Sequence, residues 1–273
     1  MSHKLLGVIG VSAVLLAAPL AASAADMGMP MKAPAPPPPS VSWTGCYVDA
    51  GGGYGMWNQD HHLSFTPPIG GLTGTATTTD GGRGWLGKFG GGCDYQTPWF
   101  NNRVVIGVFG DWDPMSLKGS NTPNEVFAFG APFGTTPVTA NEKETNAWFV
   151  GARLGFLVTP TFMTYLDGGF TQARFTQTGE FSTLSGVPDG FAYPNFKDNG
   201  WFIGSGFEYA LNDWVPFRGL FLQTEYRFSE YNTHTLTEFS LATGAPTGNT
   251  EVTRPFVQTV TTALVWKFNW TGH

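Results

Sequence analysis

The chain has 273 residues; 12% are charged, 41% apolar and 15% aromatic, and 37 are glycine. Charge is about half its usual share and glycine about twice, which argues against a disordered solvating chain and fits a soluble enzyme poorly. The formal net charge of −6, with no basic block, argues against nucleic acid as a partner.

Residues 1–25 read as a secretory signal. His3 and Lys4 form a weakly basic start, Leu5 to Leu16 is apolar, and Pro19 precedes the small-residue cleavage site Ala22-Ser23-Ala24. Residues 26–42, with Pro30, Pro34 and Pro36 to Pro39, read as an extended periplasmic linker. Residues 43–273 form the remaining domain. No later run approaches the roughly 18 apolar residues of a membrane helix, so any membrane span must be built from strands.

Period-two alternation recurs after residue 43 and predicts strands over 45–57, 84–95, 104–112, 147–157, 162–172, 201–209, 219–228 and 256–268. Each suits a tilted strand crossing a bilayer. The gaps alternate. Residues 96–103, 158–161 and 210–218 are short; 58–83, 113–146, 173–200 and 229–255 are long and rich in Gly, Thr, Asn and Pro. Short periplasmic turns and long extracellular loops predict an all-β, eight-stranded antiparallel up-and-down transmembrane barrel.

Charge assigns the faces. Asp49, Lys88, Asp94, Asp111, Arg153, Asp167, Glu208, Glu225, Arg227 and Lys267 all fall on one parity of their strands. The other parity carries residues such as Val48, Trp85, Phe89, Val108, Leu154, Ile203 and Leu264. One face suits lipid, and the other predicts an interior charge network. A soluble barrel with an apolar interior would also alternate, but the charged face here carries many glycines, which leave room for long side chains in a narrow barrel. Trp57, Trp85, Trp112, Trp148 and Trp201 fall at loop-side strand ends, and Trp43, Trp99, Trp214, Trp266 and Trp270 at the turn side. This sorting predicts two interfacial girdles. Phe109, Phe149, Phe202 and Phe221 depart from the pattern by falling on the inward parity.

Trp43-Thr44-Gly45-Cys46-Tyr47-Val48, Gly53-Tyr54-Gly55, Gly107-Val108-Phe109-Gly110-Asp111, Gly151-Ala152-Arg153-Leu154-Gly155, Gly204 to Leu211 and Glu225-Tyr226-Arg227-Phe228 carry a resemblance. The chain resembles the small α-proteobacterial outer-membrane β-barrel family, porin-family or OmpA-like, of the rhizobial and brucellar major outer-membrane proteins. The resemblance implies an eight-stranded outer-membrane barrel without a catalytic site, in an envelope protein with a structural, lipopolysaccharide-associated or weakly porin-like role. Cys46 stands where the family usually has Phe, and Phe109 where an acid is common. Phe268 and Trp270 are followed by Thr271-Gly272-His273 rather than ending the chain.

Other motifs point elsewhere. Gly82-Arg83-Gly84-Trp85-Leu86-Gly87 matches a dinucleotide fingerprint in letters, but no buried strand and helix flank it. Asp60, His61 and His62 read as a solvated loop rather than a metal site. His62-Leu63-Ser64 raises the alternative of a lipid-modifying enzyme, but it shows no carboxylate to orient the base. His234 stands alone in the last long loop. Cys46 and Cys93 fall near the periplasmic ends of neighbouring strands with outward parity, as either a cross-strand disulfide or two thiols facing lipid.

The sequence therefore predicts a non-enzymatic outer-membrane barrel for envelope integrity and surface contact, with a small, weakly cation-preferring channel as the alternative. Six inward acids against four bases leave a surplus of two negative charges. Neither metal nor cofactor is implied. The expected partners are outer-membrane lipids, including lipopolysaccharide, and the barrel-insertion machinery during assembly.

Overall fold

A computed structural model describes residues 41–65, 74–121, 138–182, 186–188, 190–212, 214–215 and 218–268. The predicted signal, most of the proline-rich linker and the residues after Phe268 lie outside these, so Trp270 and the chain end are not placed.

The strands are β1 (Gly45–Phe65), β2 (Gly74–Thr97), β3 (Val104–Asn121), β4 (Val138–Thr159), β5 (Phe162–Ser182), β6 (Phe191–Ala192), β7 (Phe196–Ala210), β8 (Leu220–Tyr231), β9 (His234–Ser240) and β10 (Pro246–Phe268). Eight of them, β1-β2-β3-β4-β5-β7-β8-β10, form an antiparallel ring closed by pairing of β10 with β1. The closing register runs from Cys46 opposite Phe268 to Ser64 opposite Thr250. Closure leaves no sheet edge within the bilayer, where an unpaired backbone group would have no water to bond.

Alternation puts every second side chain inside. Along β1, Tyr47, Asp49, Trp57, Gln59 and His61 are buried, while Val48, Tyr54, Met56 and Asn58 are exposed. The register of β3 with β4 shifts between Pro114 and Leu117, and proline, lacking a ladder donor, is tolerated at such an irregularity. A second shift, between Glu144 and Asn146 on the pairing of β4 with β5, changes the inward parity of β4. Below it Ala147, Phe149 and Arg153 are buried; above it Glu142 and Glu144 are.

The strands outrun the membrane. Much of what composition marked as long loops continues as paired strand: β1 pairs with β2 as far as Phe65 opposite Gly74, and β3 with β4 as far as Asn121 opposite Ala140. Where β8 ends, β9 pairs with the upper part of β10 and β6 pairs with β9. These extensions correct the loop reading of 58–65, 74–83, 113–121, 138–146, 173–182, 191–192, 196–200, 229–231, 234–240 and 246–255. Thr favours an extended backbone even where it faces water, so polarity alone does not mark the strand ends.

Candidate functional site: the charged and aromatic barrel interior

At membrane level the interior is filled by two ionic layers. In the periplasmic layer, the Arg153 guanidinium from β4 donates to both carboxylate oxygens of Asp94 on β2, with Nε 2.8 Å from Oδ1. Its Nη1 lies 3.2 Å from Glu208 on β7. Lys267 of β10 joins the same two acids, 3.0 Å from Asp94 and 2.8 Å from Glu208. In the layer above, Lys88 Nζ lies 3.1 Å from both Asp111 and Glu225. Arg227 donates to Glu225 two residues away on its own strand, at 2.6 Å from Nε, and to Asp111 across the lumen at 2.8 Å. Tyr165 adds a hydrogen bond to Glu225 at 3.2 Å. Each layer holds two acids and two bases, so each is neutral. The surplus of two falls on Asp49 and Asp167, both 7% exposed, each with one carboxylate oxygen that has no hydrogen-bond partner among the described residues.

Aromatic rings complete both layers. The Arg227 guanidinium lies 4.3 Å from the Phe149 ring centre, 4.8 Å from Phe202 and 5.5 Å from Phe109. Lys267 Nζ lies 4.7 Å from both Trp43 and Phe221. The inward phenylalanines are thus the faces on which buried cations rest, and a desolvated cation gains most from such contact. Glycine provides the room. A Cβ added to Gly107 would lie 2.1 Å from Asp94 Oδ1, at Gly90 2.1 Å from Asp111 Oδ1, and at Gly204 2.2 Å from Asp167 Oδ1. Each of these acids faces its glycine directly across a strand pair.

Between the layers lies a cavity of about 10 Å3, lined by Tyr47, Asp49, Lys88, Asp111, Arg153 and Asp167 among others. That is room for about one water molecule.

Above the membrane the interior changes. His61, buried on β1, is held through Nδ1 by Glu251 of β10, and its Nε2 lies 3.5 Å from Asp80 of β2. Glu142 and Glu144 of β4 are buried nearby. Burial works against a charge on His61, but the hydrogen bond and charge of Glu251, with Glu142 and Asp80 behind, outweigh it and hold the ring above the usual histidine range. Burial pushes the Glu142 carboxyl up to about 8, with His61 pulling it down and Glu251 pushing it up. Burial, then Asp113 and Glu142, holds Glu144 well above the carboxylate range. Burial also raises Asp80, against the pull of His61. Among the described inward side chains above the aromatic rim there is no Lys or Arg.

A closed ring of eight strands, apolar outside and ionic inside, is matched by one family model, that of the outer membrane protein beta-barrel domain, over residues 11–268. The chain belongs to this family. It is a protein of the Gram-negative outer membrane. Its curated relatives include the 31 kDa outer-membrane immunogenic proteins of Brucella melitensis biotype 1 and Brucella suis biovar 1. Each is 27% identical over 227 residues, covering 80% of this chain and 84% of the relative. Among solved structures, the outer membrane protein OprG from Pseudomonas aeruginosa is similar at 13% identity and a TM-score of 0.47, covering 84% of this chain and 99% of OprG.

In this outer-membrane barrel the ten charges chosen by parity are all buried inside, and Cys46 and Cys93 are joined by a disulfide facing the lipid side. Three readings need correction. Trp43 and Trp57 are not girdle residues. Both are fully buried, and their indoles donate to the Pro160 and Leu117 carbonyls at 3.0 and 3.2 Å. Odd parity, continued from β1 back to Trp43, groups both with Asp49. Trp85, Trp112, Trp148 and Trp201 do face outward at the upper rim, as do Trp99, Trp214 and Trp266 at the lower. His61 is no solvated loop residue, because β1 runs past it; His62 and Ser64 lie on the same strand. His234 lies on β9, 3.2 Å from Asp198 and stacked on Phe196. The nearby Gly82–Gly87 segment is continuous strand, which removes the helix start that a dinucleotide site needs.

Proposed function

We propose that the protein is a closed, non-enzymatic outer-membrane barrel that serves envelope integrity and presents its strand extensions for contact at the cell surface. The observation that carries this reading is the filled interior: two neutral, aromatic-backed ionic layers with space for about one water between them. Permeation by hydrated ions would require those layers to part. A buried pair held by several hydrogen bonds resists this, because separating it strands charges in a low dielectric. His62 and Ser64 lack an orienting carboxylate among the described contacts, and the His61–Glu251 pair is sealed within the wall, so neither supports hydrolysis.

Planar-bilayer recording of the refolded protein tests the proposal. The expected result is no large, steady conductance. A large, anion-selective step would overturn both the closed reading and the assignment of the charged face to the interior. A second reading, a narrow cation path, is favoured by the unpaired oxygens of Asp49 and Asp167 at the cavity, since acidic groups lining a pore select cations. Small cation-selective steps abolished by Asp49→Asn with Asp167→Asn would support it.

A further inference from the structure

Above the aromatic rim the outer surface is asymmetric. Arg83 on β2 stands directly opposite Lys118 on β3, and Lys118 directly opposite Lys143 on β4. Arg174 on β5 stands opposite Lys197 on β7. All five point outward, and cations directly opposite each other on adjacent strands repel. No ion pair among the described residues relieves them. On β2, β3, β4, β5 and β7, no carboxylate whose side chain is described faces outward. The remaining arc is different: Arg254 of β10 is paired with Glu230 of β8, and Asp60 of β1 stands opposite Arg254.

The row has a second feature. An open groove of about 590 Å3 runs beside Arg83 and Lys118 over Gly81, Gly82 and Gly119. Gly81, on the outward parity of Arg83, leaves the outer face of the sheet bare there; Gly82 and Gly119 face inward, where the Trp57 indole lies 2.4 and 2.7 Å from where their Cβ atoms would be. Two residues below Arg83 on the same face is Trp85, 75% exposed, followed by Phe89 and Trp112, which stack at 6.2 Å. Cations therefore lie over an apolar aromatic wall at the level where the outer leaflet turns from acyl chain to headgroup.

We propose that the Arg83–Lys118–Lys143 row and its groove form a binding site for the phosphate-bearing glycolipid of the outer leaflet. The phosphates of the lipid A headgroup lie along the row, and its acyl chains lie against Trp85, Phe89 and Trp112. Arg83 supplies a planar fork for phosphate oxygens, and the two lysines supply compact charges. A cation row that is unbalanced by itself becomes neutral on binding, which accounts for its confinement to one arc. The proposal rests on the outer-membrane placement and not on the barrel being closed, so bilayer recordings and lipid binding fail independently.

The test is retention of diphosphoryl lipid A by detergent-purified, folded protein, read by native mass spectrometry. The Arg83→Gln, Lys118→Gln, Lys143→Gln triple variant should retain at least about tenfold less than the unaltered protein. Arg254→Gln, whose arginine is already paired, should match the unaltered protein. Lipid A stripped of its phosphates should bind weakly and equally to all three, and phosphatidylglycerol should bind the unaltered protein less well than lipid A. Heat-modifiable migration in SDS gels checks folding. If the triple variant fails that check, Lys118→Gln alone should still lower retention, by about threefold. Equal retention by the unaltered protein and the folded row variant overturns the site. So does equal retention of the dephosphorylated lipid, and phosphatidylglycerol binding as well as lipid A overturns the choice of ligand.

Discussion

The interior at membrane level and the interior above it solve the same problem in opposite ways. Both bury carboxylates in a narrow barrel. Within the bilayer, Asp94, Asp111, Glu208 and Glu225 each meet Arg or Lys. Above the rim, Asp80, Glu142 and Glu251 share one imidazole, His61, and Glu142 and Glu144 sit high on the pH scale. Deep in the membrane little water can reach a stranded carboxylate, so four of the six acids are matched by charge, and the other two, Asp49 and Asp167, sit at the one-water cavity between the layers. Above it, protonation from the surrounding medium does the neutralising. The two layers of the lower interior thus act as an ionic lock, whereas the raised carboxyls of the upper interior couple it to pH.

The largest effect should come from breaking the lock. Arg153→Ala leaves Asp94 and Glu208 to Lys267 alone and should cost about 3–5 kcal/mol. This would be read as a lower temperature for the change in SDS-gel migration and a lower urea midpoint in liposomes. Gly107→Ala attacks the same layer from the wall, because its Cβ would fall on Asp94 Oδ1 with the Arg153 chain 3.3 Å away. A cost of about 1–3 kcal/mol is expected from such overpacking, and an unchanged midpoint would show that Asp94 can move without loss.

The upper interior should instead answer to pH. Glu142 and His61 both hold a proton more tightly folded than unfolded, so protonation favours the folded wall. Its stability is full below about pH 4.5, declines as pH rises because the unfolded Glu142 gives up its proton first, and levels off once pH passes about 8. The loss for Glu142 accrues at up to about 1.4 kcal/mol per pH unit between about 4.5 and about 8, and levels off above that. Hydrogen exchange of residues 59–63 and 251–253, corrected for intrinsic rates, should quicken from pH 5 to 8 and level off above that while residues 47–55 stay protected. Glu142→Gln should flatten the response. A uniform quickening along β1 would erase the distinction between the two regions.

The smallest effect separates the buried indoles from the lipid-facing ones. Trp57→Phe loses the hydrogen bond to Leu117 and should cost about 1 kcal/mol. Trp85→Phe should change stability less. A quencher carried on lipid tails should dim fluorescence that Trp85→Phe removes, but spare the component that Trp57→Phe removes.

Much of this was legible because a barrel imposes period two on every strand. Parity alone sorted Lys88, Arg153 and Lys267 inward, and Trp85 and Val108 outward. It also places Trp43, Trp57 and Phe202 inside, where the preference of tryptophan for membrane interfaces and of phenylalanine for lipid points the other way. The aromatic contacts of Arg227 come from β3, β4 and β7, a meeting that only the closed ring creates. The pairing of His61 with Glu251 was hidden for another reason. The two are 190 residues apart, and they lie in stretches whose Thr, Asn and Gly read equally well as loop.

The Cys46–Cys93 bond fixes where this ring can part. β1 is tied to β2 covalently at the periplasmic end and to β10 only by hydrogen bonds and packing. Any lateral opening that starts at the periplasmic side of the first strand must therefore run between β1 and β10. There Gly51 and Gly53 lie so close to the backbone of Thr262 and Val260 that no side chain fits between them. The first hairpin would swing as one unit about its pairing with β3, and the seam between β1 and β10 would be the line that opens.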